Sequence, residues 1–294
     1  MEITPEAVRQ GLRDARYVTT PRVETALFLA LALEKPLLAE GPAGAGKTEL
    51  GTVLARMLRT DLLRLQCYEG LDEARALYEW NYQKQLLRMQ ADRTLAASAS
   101  WEALSKDIFS REYLLERPLL RAITAERRVV LLIDEVDKSD EEFEAFLLEV
   151  LSDFQVSVPE LGTIPARHRP VVLLTSNCAR ELSEALKRRC LHLYIEFPGI
   201  EKEAEILALK VPQAEEALRA QVARFVNRLR RLELKKAPSI AETLDWCRAL
   251  LSLGVAGLDA PAVRRTLNLL LKHEDDIRKV EPKVPALVGE AAGS

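Results

Sequence analysis

The sequence predicts an α/β fold: a parallel five-stranded sheet with helices on both faces, followed by a C-terminal all-helical domain. Three observations carry this. Five short apolar runs alternate with stretches of helical period, the pattern of a parallel sheet built from crossover units. A glycine-rich run, "GPAGAGKT" from Gly41 to Thr48, lies between the first of those strands and a helix. Beyond Pro198-Gly199 only helical patterns remain.

Taken in order, helical periodicity runs through Glu6–Tyr17 and from Pro21 to about Glu34. "KPLLAEG" is an apolar run closed by glycine, a buried strand. The next helix places Leu50, Val53, Leu54 and Leu58 at helical spacing, and "DLLRLQC" is the second strand. Leu71 to Thr124 reads as mostly helical, broken by "ADRTLAASAS", a weakly patterned surface linker. "RRVVLLIDE" is the third strand, and Phe143, Phe146, Leu147, Val150 and Leu151 share one face of the helix after it. "FQVSVPELGTIPARHRP" alternates around "PELG" as a hairpin does. "VVLLTSN" and "LHLYIEF" complete the strands. Helices are expected over Glu201–Val211, Gln213–Leu232, Ser239–Leu253 and Pro261–Arg278, with a frayed tail over residues 284–294.

A chain of 294 residues exceeds the usual single-domain size of about 100–200 residues, so a core over residues 1–198 and a helical domain over 199–283 is the expected division. Apolar residues make up 48% and charged residues 30%, an ordinary globular balance. The net charge of −3 supplies no basic field for nucleic acid or anionic lipid, so nucleic acid is an unlikely partner. The longest apolar run, Ala26 to Leu33, is far short of the roughly 20 residues that span a bilayer. Cys67, Cys178, Cys190 and Cys247 lack metal-finger spacing and read as reduced thiols, mostly buried, of a cytoplasmic protein. His168, His192 and His273 are scattered without ligand spacing.

The chemistry sits at strand ends. In Gly41-Pro42-Ala43-Gly44-Ala45-Gly46-Lys47-Thr48 the glycines let backbone N–H groups curl around phosphate oxygens, and the following helix aims its N-terminus at them. Lys47 would reach the β/γ-phosphates and Thr48 would ligate Mg²⁺. Asp134 emerges from a buried strand at the edge where ligands bind in open α/β sheets. It would hold the Mg²⁺ shell, through water, while Glu135 would polarise the attacking water. Asn177 ends a neighbouring strand with an amide able to position that water. Asp137 and Asp140 read as solvated charges or a helix cap. Arg224, Arg228 and Arg231 read as the wet face of an amphipathic helix.

In this order GPAGAGKT, LLIDE, "VSVPELGTI", LLTSN and "ELSEALKRRCL" resemble an AAA+ ATPase, and among these the MoxR group, especially its CoxD-like members. The resemblance covers about residues 15–280. It implies a homo-oligomeric ring, usually hexameric, with ATP and Mg²⁺ held between subunits. It points to Asn177 as sensor 1 and to an arginine finger in "ALKRRC", best matched by Arg189 with Arg188 as the neighbour that can take the role. The lid segment "APSIAETLDW" has no arginine where such proteins often carry sensor 2, so no residue is assigned to it. The resemblance further implies a helix-2 insertion over about residues 69–110 and a hairpin over about 154–170 on the axial face. A von Willebrand factor A-domain partner and a client enzyme, such as a carbon monoxide dehydrogenase-like molybdoenzyme, are implied in the same way. Tyr78, Trp80 and Tyr82 lie two apart and cannot all face one side of a straight helix, which leaves both interface and core open for them.

Overall fold

The computed structural model describes residues 3–95, 108–159 and 161–292. All five strands form where the apolar runs stand: β1 (Leu37–Glu40), β2 (Leu62–Gln66), β5 (Val130–Asp134), β8 (Val171–Ser176) and β9 (Leu191–Tyr194). They make one parallel sheet in the order β2-β5-β8-β1-β9. The inner strands β5 and β8 are buried along their whole length, which explains their unbroken Val/Leu/Ile runs. Because every strand runs the same way, their carboxyl ends share one edge. The register sets Gln66 beside Asp134, and Glu40 beside both Ser176 and Tyr194.

Helices α1 (Pro5–Asp14) and α2 (Pro21–Ala32) precede β1, and α3 (Lys47–Leu58) follows the glycine-rich loop. After β2 come α4 (Glu73–Leu77) and a short strand, β3 (Tyr78–Trp80), then α5 (Tyr82–Leu95). β3 pairs antiparallel with β4 (Leu114–Glu116), ahead of α6 (Pro118–Thr124). The helical reading of residues 71–124 is therefore corrected at Tyr78–Trp80. The aromatic spacing of two is strand spacing, and it turns both rings the same way. Trp80 is buried and Tyr78 packs against the same core, with edge-on contacts from Trp80 to Tyr78 and Phe109 at 5.8 and 5.4 Å. Tyr82, on α5, is 63% exposed. Of the proposed linker "ADRTLAASAS", residues 91–95 continue helix α5 instead, and residues 96–100 lie outside the described residues.

Helix α7 (Glu141–Asp153) is capped by Asp140, whose carboxylate accepts from the Phe143 amide. The expected hairpin follows as β6 (Gln155–Val158) and β7 (Gly162–Pro165), and α8 (Glu184–Arg189) joins β8 to β9.

The helical part comprises α9 (Ile200–Lys210), α10 (Glu216–Arg230), α11 (Ile240–Ser252), α12 (Ala260–Leu270), α13 (Glu274–Val280) and α14 (Val284–Ala292). Two expectations are corrected here. The helix predicted over Pro261–Arg278 breaks after Leu270, where His273 begins a new cap. The tail predicted to fray is α14, which buries Val284, Leu287 and Ala291. Its fixity comes from α10, since Arg224 donates to the Ala291 carbonyl at 2.8 Å and Arg228 pairs with Glu290. Two of the arginines read as a wet helix face thus hold the tail. A buried bidentate pair, Arg230 with Glu203 at 2.6 and 2.8 Å, links α10 to α9.

The chain forms two compact units. One is drawn from the stretches 1–11, 21–40 and 48–194, the other from 12–20, 41–47 and 195–294. Each has its own hydrophobic core, centred on β5, β8 and α7 in the first and on α10, α11 and α12 in the second. Among the described residues no helix is long and apolar enough to cross a membrane.

Candidate active site

The loop between β1 and α3 depends on glycine at two points. Gly41 has φ +146°, and a Cβ there would stand 2.0 Å from the Ile195 carbonyl oxygen. Gly44 has φ +80°, and a Cβ would stand 2.2 Å from that of Ser239. The Ile240 amide, first in α11, donates to the Gly44 carbonyl at 3.1 Å. Ser239 and Glu242 form a reciprocal capping box at that helix end. The Lys47 ammonium is buried and donates to the Gly41 and Pro42 carbonyls at 2.7 and 2.8 Å. Pro42, Ala43, Ala45 and Gly46 complete the loop, with Ala45 donating its amide to the Pro42 carbonyl.

Thr48 faces the acidic pair. Its hydroxyl donates to Asp134 Oδ1 at 2.9 Å, and the Thr175 hydroxyl donates to the same oxygen at 2.5 Å. Asp134 Oδ2 accepts from Arg64 Nη2 at 2.5 Å, so a carboxylate only 1% exposed is satisfied on both oxygens. Glu135 begins a single turn of 3₁₀-helix in the left-handed region at φ 56°, and its amide donates to Thr175 Oγ1 at 2.9 Å. Its carboxylate accepts from Asn177 Nδ2 at 3.2 Å, Gln66 Nε2 at 2.8 Å and Lys138 Nζ at 2.6 Å. The Glu135 carboxylate in turn raises the Lys138 ammonium above its ordinary value.

Asp134, Glu135, Asn177 and Thr48 are thus brought together at one edge of the sheet. Asp137 corrects its reading as a solvated charge: it is buried and accepts from the Asn177 and Ala179 amides at 3.1 and 2.9 Å. It thereby fixes the loop that carries Asn177. Cys67, one residue past β2, is pushed up to about 12 by burial, with the charges of Asp134, Asp137 and Glu135 adding to the effect. Arg188 and Arg189 lie exposed at the end of α8. Arg189 donates to the Ser152 hydroxyl, and Arg188 has no side-chain partner among the described residues. Sequence reasoning missed Thr175, Arg64, Gln66 and Lys138. The alternation in "LLRLQ" was the available signal for two of them, since it puts Arg64 and Gln66 on one face of β2.

The donor set suits Mg²⁺ rather than a softer metal. Among the described residues no group of three or more His, Cys, Asp or Glu gathers as a cage. One carboxylate with one hydroxyl is the protein complement Mg²⁺ accepts when phosphates and water supply the rest.

A glycine-rich loop leading into a helix, with a buried aspartate at the end of the neighbouring parallel strand, defines a P-loop protein. Residues 36–190, more than half of the chain, match the AAA domain (dynein-related subfamily), and the chain belongs to that family. A curated relative, chaperone protein ClpB 2 of Parasynechococcus marenigrum (strain WH8102), is 30% identical over 174 residues, 59% of this chain. The chain spans only 16% of that relative's length. Two solved variants of Thermotoga maritima RuvB superimpose with TM-scores of 0.50 and 0.51, both at 18% identity. Each match takes in 96% of this chain and 76% or 77% of the RuvB chain, a likeness of fold alone.

Proposed function

We propose that this chain is a Mg²⁺-dependent ATPase of the MoxR group, CoxD-like, working as a cytoplasmic remodelling chaperone in a homo-oligomeric, six-membered ring. The single observation that supports hydrolysis over mere binding is the Glu135 carboxylate, held within 3.2 Å of Asn177 and one residue from the Asp134–Thr48 pair. In this reading the loop from Gly41 to Gly46 cradles the phosphates, and Lys47 leaves its carbonyl partners for the β/γ-phosphates. Thr48 and Asp134 would hold Mg²⁺, which when bound would supply charge neutralisation at the phosphates. Glu135 takes a proton from the attacking water while Asn177 orients it. Arg189, or Arg188 beside it, serves the neighbouring subunit, because neither joins the network around Glu135 in its own chain.

The chaperone half of the proposal draws support from likeness to the chaperone protein ClpB 2. A von Willebrand factor A-domain partner and a client such as a carbon monoxide dehydrogenase-like molybdoenzyme follow from the motif resemblance. The net charge of −3 favours a protein client over a nucleic-acid track.

Phosphate release by purified protein tests the proposal. Wild type is expected to release phosphate with Mg²⁺ and not in EDTA, and Glu135→Gln to bind nucleotide without turnover. An equal mixture of Arg189→Ala and Lys47→Ala, each inactive alone, is expected to recover part of the rate. Turnover by Glu135→Gln near the wild-type rate would remove the assigned role from Glu135.

A further inference from the structure

The end of β2 alternates Leu63, Arg64, Leu65, Gln66, and its parallel register with β5 sets Gln66 beside Asp134. Arg64 and Gln66 therefore leave the strand on one face, next to the acidic pair. Arg64 Nη2 stands 2.5 Å from Asp134 Oδ2 and 2.7 Å from Gln66 Oε1, and Gln66 Nε2 stands 2.8 Å from Glu135 Oε2. An unbroken run of hydrogen bonds thus links the two acidic side chains through β2. Asp134 Oδ1 is taken by Thr48 and Thr175, which leaves Oδ2 to the guanidinium.

The two partners differ in one property that matters. The Asp134 side chain is 1% exposed, and a buried carboxylate without a counter-charge is strongly disfavoured. Arg64 is 51% exposed, so its guanidinium can turn into water without being desolvated first. The carboxylate needs a cation, and the present one can leave.

We propose that Arg64 is a positioning residue that occupies Asp134 Oδ2 in the metal-free protein and yields that carboxylate when Mg²⁺ arrives with nucleotide. Arg64 thereby competes with the metal and sets the Mg²⁺ concentration at which the site fills. The proposal rests on the ATPase reading above and adds to it a residue that none of the nucleotide motifs contains.

The test is a Mg²⁺ titration of fluorescent ATP-analogue binding, at fixed nucleotide, for wild type, Arg64→Gln and Arg64→Lys. Competition predicts that half-saturating Mg²⁺ falls roughly threefold to fivefold in Arg64→Gln, the range open to a half-exposed ion pair. Arg64→Lys keeps a cation in reach of Asp134 and is expected to stay within about twofold of wild type. An Arg64→Gln midpoint equal to wild type or higher overturns the proposal. So does failure of Arg64→Gln to fold, because a cation needed for the fold is not one that leaves. Absence of any Mg²⁺-dependent binding by wild type would instead sink the ATPase reading.

Discussion

Thr175 ties the two acidic residues into one unit. One hydroxyl donates to Asp134 Oδ1 and accepts from the Glu135 amide, so the left-handed turn at Glu135 and the rotamer of Asp134 are set together. Thr175→Val keeps the shape, leaves the Glu135 amide without its acceptor and removes one of the two donors to Asp134 Oδ1. A loss of about 1–3 kcal/mol in denaturant unfolding is expected from the unsatisfied groups. Turnover should fall at least about tenfold while nucleotide binding persists, because Lys47 and the loop are untouched. Thr175→Ser should restore most of both, and a Thr175→Val enzyme with normal turnover would refute this positioning role. Lys47, Thr48, Asp134, Glu135 and Asn177 were legible because each stands at fixed spacing or ends a buried apolar run. Thr175, Arg64 and Gln66 were not, because their partners come from register between strands joined by long crossovers. Asp137 misled for a related reason. An acid inside "DEVDKSD" looks solvated, and only the amides of Asn177 and Ala179 show why it is buried.

Among the elements, α11 shows how a helix end can be tuned by pH. Burial alone would raise the Glu242 carboxyl, but hydrogen bonds from the Ser239 backbone, together with Lys236, hold it below its ordinary 4.5. A lowered folded-state value stabilises the protein above 4.5, and that contribution is lost as pH falls through the folded value. Glu242→Ala should therefore cost about 1 kcal/mol near neutrality, the usual worth of an N-terminal cap. The gap between wild type and variant should close on acidification below 4.5. Chemical denaturation at several pH values measures this, and a gap constant with pH would exclude the ionised capping box as its source. The five sheet strands were legible from apolar runs alone. β3 was not, because a three-residue strand is defined by its partner, and β4 lies more than thirty residues further on. With Trp80 in the core, Tyr82 is the ring of that trio left facing solvent.

At the scale of the whole molecule, the change of composition at Pro198-Gly199 invites a cut that the contacts do not respect. The first core is complete before residue 191, so a fragment of residues 1–198 should retain the folded sheet. Yet the loop from Gly41 to Lys47 belongs with the helical unit. Gly41 rests against the Ile195 carbonyl, and Gly44 is bonded to the start of α11. Such a fragment is expected to unfold cooperatively in denaturant but to bind nucleotide about tenfold more weakly or worse, the effect of losing one or two hydrogen bonds and their packing. Equal affinity in fragment and full chain would show the loop to be self-supporting. The seam for dividing this protein is accordingly not a single point along the chain. Residues 41–47 are borrowed from the middle of one module to finish another, so the region from 199 onward is no detachable accessory. Swapping it for the helical region of a relative would replace Ser239 and Ile240, against which Gly44 of the phosphate loop rests.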